Sequence, residues 1–191
     1  GNFYYNPPTG FLAMCTGNIP LADAINPALT SDNYPQKLFS PKLYTGNGGT
    51  NNITGLGFKP DWLLIKIRNT ASNAVTVDST RGTNKVLFPT NNDAEATSAN
   101  LTAFGTDGFS LAGGLDSYDP NFNGNNNTYV AWAWRANGGT TSSNGNGSIT
   151  STVQVCPSGG FSIVTWTGVA GAWGTLGTVG HGLSAAPTVI F

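Results

Sequence analysis

Charge is scarce in this chain. Only 9% of its 191 residues are Asp, Glu, Lys or Arg, against about a quarter in an ordinary soluble domain. That shortage excludes coiled coils and long surface helices, which depend on Glu, Lys and Arg. Eight basic residues against nine acidic ones leave a net charge of −1, so there is no electrostatic footprint for nucleic acid or an anionic membrane. No apolar run approaches the roughly 20 residues that a spanning helix needs, and no membrane insertion is expected. The single histidine, His181, excludes a His-based metal cluster. Flanked by Gly180 and Gly182, it reads as a turn residue rather than a catalytic base, because no acid lies near it to orient it. Two cysteines, Cys15 and Cys156, are too few for a disulfide scaffold and have no metal-ligand spacing. Both read as buried thiols, with a mutual bridge left open. The Gly-rich stretches lack the Lys and following helix of a phosphate cradle. No cofactor and no metal are expected.

What remains is 39% apolar residues, 11% aromatics and 26 glycines, the composition of Thr-rich strands joined by Gly and Asn turns. Strand signals recur at regular intervals. In Trp62-Leu63-Leu64-Ile65-Lys66-Ile67-Arg68 the residues Leu63, Ile65 and Ile67 share one face. Val75-Thr76-Val77 reads as a hairpin partner, Lys85-Val86-Leu87-Phe88 stops at Pro89, and Asp107-Gly108 marks a tight turn between two further strands. In Tyr129-Val130-Ala131-Trp132-Ala133-Trp134 the pattern places Val130, Trp132 and Trp134 together, and this face is expected in the core. A single helical turn is expected over residues 93–96, capped by Asn91 or Asn92.

Two segments repeat. Phe39-Ser40-x-x-x-Tyr44-Thr45-Gly46 is echoed by Phe161-Ser162-x-x-x-Trp166-Thr167-Gly168. Gly55-Leu56-x-x-x-Pro60, followed by an apolar strand pattern, is echoed by Gly182-Leu183-x-x-x-Pro187 and residues 188–191. The expected fold is therefore all-β, with antiparallel β-sandwich units (jelly-roll or concanavalin-like) in tandem. Residues 38–138 form a complete unit, and 160–191 begin a second, truncated one that pairs with a neighbouring subunit or with sequence beyond residue 191. Between them, 139–159 hold a Gly/Ser/Thr/Asn-rich linker and a strand, the linker composition already starting at Ala136. Residues 21–37 read as an extended connector.

The order of these blocks resembles a family. Tyr5-Asn6-Pro7-Pro8-Thr9-Gly10-Phe11-Leu12-Ala13-Met14-Cys15-Thr16-Gly17-Asn18-Ile19-Pro20 resembles the closing strand and exit of a SPRY-type, concanavalin-like sandwich, making residues 1–20 the end of a preceding domain. Lys42-Leu43-Tyr44-Thr45-Gly46-Asn47-Gly48, Gly57-Phe58-Lys59-Pro60-Asp61-Trp62, Asp78-Ser79-Thr80-Arg81-Gly82 and the Trp132 strand resemble the unit that follows such an end in virion proteins of tailed, often marine, bacteriophages. The resemblance implies a tail, fibre or surface protein of the virion, located on the particle or outside the cell. It carries no catalytic residues. Its implied partners are copies of itself or other virion proteins, with a host surface glycan as a further candidate.

Among candidate site residues, Asp78 and Arg81 bracket a tight loop and read as a structural ion pair. Asp116 and Asp119, amid asparagines, read either as a polar turn or as oxygen ligands for calcium, without the regular acidic spacing of calcium loops. Trp173, in a Gly-rich loop, is the best exposed aromatic for stacking on a sugar, or else a lid over its own core. The leading expectation is a non-enzymatic structural protein. A carbohydrate-binding module, a glycan depolymerase with paired carboxylates, and a bacterial adhesin or filament subunit are the alternatives.

Overall fold

The computed structural model describes residues 34–169 and 177–191. The SPRY-like stretch, most of the connector, Cys15 and Trp173 lie outside them. After a short 3-10 turn at Pro35–Lys37, twelve strands follow: β1 (Phe39–Thr45), β2 (Asn51–Thr54), β3 (Trp62–Ile67), β4 (Val75–Asp78), β5 (Gly82–Leu87), β6 (Ala96–Thr97), β7 (Leu101–Gly105), β8 (Gly108–Leu111), β9 (Thr128–Trp134), β10 (Ser142–Asn144), β11 (Ser151–Cys156) and β12 (Phe161–Trp166). One helical turn, α1 (Asp119–Phe122), precedes β9. The chain is all-β, and the named strand pairs are all antiparallel.

A six-stranded sheet runs β1-β9-β3-β4-β5-β6, opposed by a three-stranded sheet β2-β8-β7. Both contribute to one buried cluster: Leu63, Ile65, Ile67, Val75, Val77, Val86, Tyr129, Ala131 and Ala133 from the first, Ile53, Leu101, Phe109 and Leu111 from the second. This is the sandwich. A second three-stranded sheet, β10-β11-β12, shares no strand ladder with it. Gly108 shows how closely the smaller sheet is packed: a Cβ added there would collide with the carbonyl oxygen of Ile53 in β2.

The structure corrects the expected core face of β9. Trp132 and Trp134 are only half-buried on the outer face, while Tyr129, Ala131 and Ala133 are fully buried. Register explains why. Leu63 lies opposite Ala133, Ile65 opposite Ala131 and Ile67 opposite Tyr129, and residues directly opposite point the same way. Once Leu63, Ile65 and Ile67 face inward, the tryptophans cannot. Large β3 residues beside alanines fill the interior, and the indoles are left outside.

Residues 93–96 form no helix. Asn91 Oδ1 instead accepts the Asp93 N–H at 3.1 Å in a local turn, and Ala96 pairs with Val86 as part of β6. The tract read as a linker is built into the molecule: it carries β10, and Asp61 binds its start. Residues 188–191 form no strand.

Candidate functional site

Asp78 sits at the end of β4, its side chain 4% exposed. Its Oδ1 accepts the N–H groups of Thr80 (3.1 Å) and Arg81 (2.9 Å), and its Oδ2 meets the Arg81 guanidinium at 2.6 Å. Arg81 reaches on to Glu95 at 3.0 Å, which also meets Lys85 at 3.6 Å. The two bracketing residues are thus joined, with no oxygen of Asp78 left idle. Replacing Asp78 with Asn is expected to cost about 3 kcal/mol, the scale for breaking a buried pair. Urea denaturation would read this as a lower midpoint with unchanged slope; a midpoint equal to that of the parent chain would show the pair to be dispensable.

Asp116 is a turn residue. Burial pushes its carboxyl up, but the N–H groups of Ala99 and Tyr118 and the side chains of Ser98 and Asn100 outweigh this and hold it below the usual carboxylate range. Asp119 begins α1, with a buried Oδ1 that has no hydrogen-bond partner. The backbones of the two meet through Asp119 N–H to Asp116 O at 3.2 Å. Among the described residues, no group of three or more His, Cys, Asp or Glu side chains gathers as a metal site would require. His181 Nδ1 accepts the Leu183 N–H at 3.1 Å within its turn. Cys156 is a buried free thiol.

Asp107 ties the β7–β8 turn to the segment after β2. It accepts the N–H groups of Gly57 (2.6 Å) and Gly55 (2.9 Å). The Gly57 N–H first, and then that of Gly55, lowers its pKa below the ordinary value. A depressed carboxylate contributes stability above its unfolded pKa and loses it as pH falls through the folded one. Melting temperatures of the parent chain and of Asp107→Asn are therefore expected to converge as pH falls below the ordinary carboxylate range of about 4. A constant gap would place the Asp107 contribution outside its charge.

Sequence reading missed three buried polar centres. Asp61, fully buried, accepts from Ser79 Oγ (2.7 Å), Ala136 N (2.7 Å) and Gly138 N (2.9 Å). Gln154 of β11, also fully buried, donates to Ser79 Oγ (3.0 Å) and Thr80 Oγ1 (2.8 Å), and accepts from Asn137 N and Gly139 N. Together they fasten the small sheet to the sandwich. Asn123 links Asn47, Gly49 and Asn51 in the same way at the opposite end of β9. Asp61 also borders an open cleft of about 420 Å³ with Lys37, Lys59 and Arg135, where Lys59 Nζ donates to Gly138 O at 2.9 Å.

The conspicuous surface is the outer face of the six-stranded sheet. One cross-strand row is Phe39, Trp134 and Trp62. Phe39 lies 4.5 Å from Trp134, Trp62 meets Trp134 edge-on at 4.9 Å, and Phe161 of β12 stacks over Trp134 at 6.0 Å. Phe191 approaches Trp62 at 5.5 Å. In the next row, Pro41, Trp132 and Leu64, no ring of the described residues stacks on Trp132, and Leu43, 60% exposed, lies beyond it opposite Val130.

A family profile matches residues 34–191, which takes in the sandwich and the small sheet alike. The chain belongs to the DUF7483 family. That family is described as a domain of unknown function. Neither the curated proteins nor the solved structures give a match. In this DUF7483 chain the structure brings together Asp78 with Arg81, keeps Asp116 and Asp119 in local turn roles, and displays an apolar sheet face that periodicity assigned to the core.

Proposed function

We propose that this DUF7483 chain is a non-enzymatic structural component of a phage virion, in a tail, fibre or surface position, working through contacts with other protein subunits. The observation that carries this reading is the outer sheet face, with Pro41, Leu43, Leu64, Val130 and Trp132 side by side and Lys66 at its margin opposite Val130. A contiguous apolar surface of this kind marks a protein contact more often than a reaction centre. The carboxylates support the same reading: Asp61, Asp78, Asp107 and Asp116 are engaged by backbone N–H groups rather than aimed in pairs into a cleft, as glycan hydrolysis needs. A sugar platform requires polar groups beside the ring, whereas Trp132 has Pro41 and Leu64 opposite it. The virion assignment rests on the order of sequence blocks.

Density-gradient fractionation of lysates from a producing culture tests it, with antibodies against residues 34–191. The chain is expected to co-sediment with intact particles and to be released only when they are dissociated. Recovery solely in the soluble fraction, with particles free of it, would overturn the assignment.

A further inference from the structure

We propose that the free edge of β12 accepts an added strand of the β9 type, contributed from outside residues 34–191. Among the described residues, β12 ends its sheet and pairs only with β11. An unpaired edge presents a row of N–H and C=O groups that another strand can satisfy.

The sandwich itself shows what such an edge takes. β12 repeats the sequence of β1, Phe161-Ser162 and Trp166-Thr167-Gly168 standing for Phe39-Ser40 and Tyr44-Thr45-Gly46. β1 pairs antiparallel with β9. Gly46 N donates to Asn127 O, and Arg135 N donates to Leu38 O. Because backbone groups alternate in direction along a strand, the even-numbered residues of β1 bond to β9 and the odd-numbered ones face the open side. Pro41 is among the latter, where its missing N–H costs no ladder bond. Carried across the repeat, Ser162, Val164 and Trp166 offer their backbone groups to the incoming strand. The counterpart of Pro41 is Ile163, opposite Gln154 in the existing ladder.

The aromatic residue of the repeat agrees. Tyr44 stacks on Tyr129 of β9, with centroids 4.9 Å apart and ring planes 10° apart, and its hydroxyl donates to Phe122 O at 2.6 Å. Its counterpart Trp166 is 56% exposed, in want of the ring that a β9 strand would bring. The sequence also repeats the other flank. In the sandwich β9 lies between β1 and β3, and β3 follows Gly55-Leu56-x-x-x-Pro60. Residues 188–191 follow the same motif and leave Val189, Ile190 and Phe191 64–85% exposed, outside any strand. The chain's own β9 is unavailable because both its edges are occupied. The occupant is therefore an uncharged strand running antiparallel to β12, with Tyr and Ala on one face and Val and Trp on the other. The inference does not depend on the virion assignment, since such an edge would act alike in any assembly.

The probe is a synthetic peptide of residues 127–135 with a lysine tail for solubility, titrated into the whole chain while amide hydrogen exchange is followed by NMR. The amides of Ser162, Val164 and Trp166 are expected to exchange freely alone and to become protected with peptide. Trp166→Ala is expected to weaken binding about tenfold. Trp166→Phe, which keeps a ring, is expected to stay within about threefold. Exchange at Val153 reports whether each variant keeps the small sheet. Protection of the three amides without peptide, none at saturation, or equal binding of a scrambled peptide would each overturn the proposal. This titration and the particle fractionation succeed or fail independently.

Discussion

Asp61→Ala is expected to destabilise the chain by about 4 kcal/mol, because three donors lose a buried acceptor at once. Ser79 Oγ and the N–H groups of Ala136 and Gly138 all point at this one carboxylate, and of the three Ser79 also reaches Gln154 Oε1, at 3.3 Å. Native domains hold only about 5–15 kcal/mol in total, so the loss would be a large share. It would also be uneven. Ser79 and the loop after β9 are the surfaces that Gln154 grips, so exchange in β11 and β12 should accelerate more than in β3 and β9. Denaturant midpoints and residue-resolved exchange measure both parts. A change below about 1 kcal/mol, or equal acceleration in both sheets, would remove Asp61 from its place as the fastening point.

The second large effect concerns the two faces of β9. Ala131→Leu adds bulk beside Ile65 in a filled interior, and overpacking of this kind costs about 2–3 kcal/mol. Trp132→Ala removes a far larger side chain but from a half-buried outer position, and about 1 kcal/mol is expected. The alanine is thus the less replaceable residue of the pair. Thermal denaturation of the two variants decides the matter, and the reverse order of losses would put the tryptophan face in the core.

Local pattern made part of this molecule legible. The alternation of Leu63, Ile65 and Ile67 gave β3 and its buried face, and Asp107-Gly108 marked the turn between β7 and β8. Asp78 and Arg81 are three residues apart, so their pairing is a local event that a short window can see. The β9 face was not legible in this way. Period two says which residues travel together but leaves the choice of side to register with β3, about 65 positions away in the chain. Tryptophan bulk then argued for the wrong side. Asp61, Gln154 and Asn123 stayed hidden for a related reason. Their partners lie on distant segments, and a lone polar residue in a loop or strand looks like any solvent-facing one. The one available signal for Gln154 was its place between Val153 and Val155, a polar side chain on a strand whose other face is apolar.

The position of β9 in the sheet has a consequence in time. β3, β4 and β5 are sequence neighbours and can pair as a meander as soon as they exist. β1 cannot join them, because its only strand partner among the described residues is β9. Strand β1 must therefore wait, unpaired, until residues 128–134 insert between it and β3. Closing so long a loop before any reward arrives is the situation in which two-state folding slows from microseconds toward milliseconds to seconds. During that interval both Leu43 and the backbone of β1 are open to other chains. The step that commits this sandwich to its fold is then the arrival of β9, and the period of greatest risk from self-association is the one just before it.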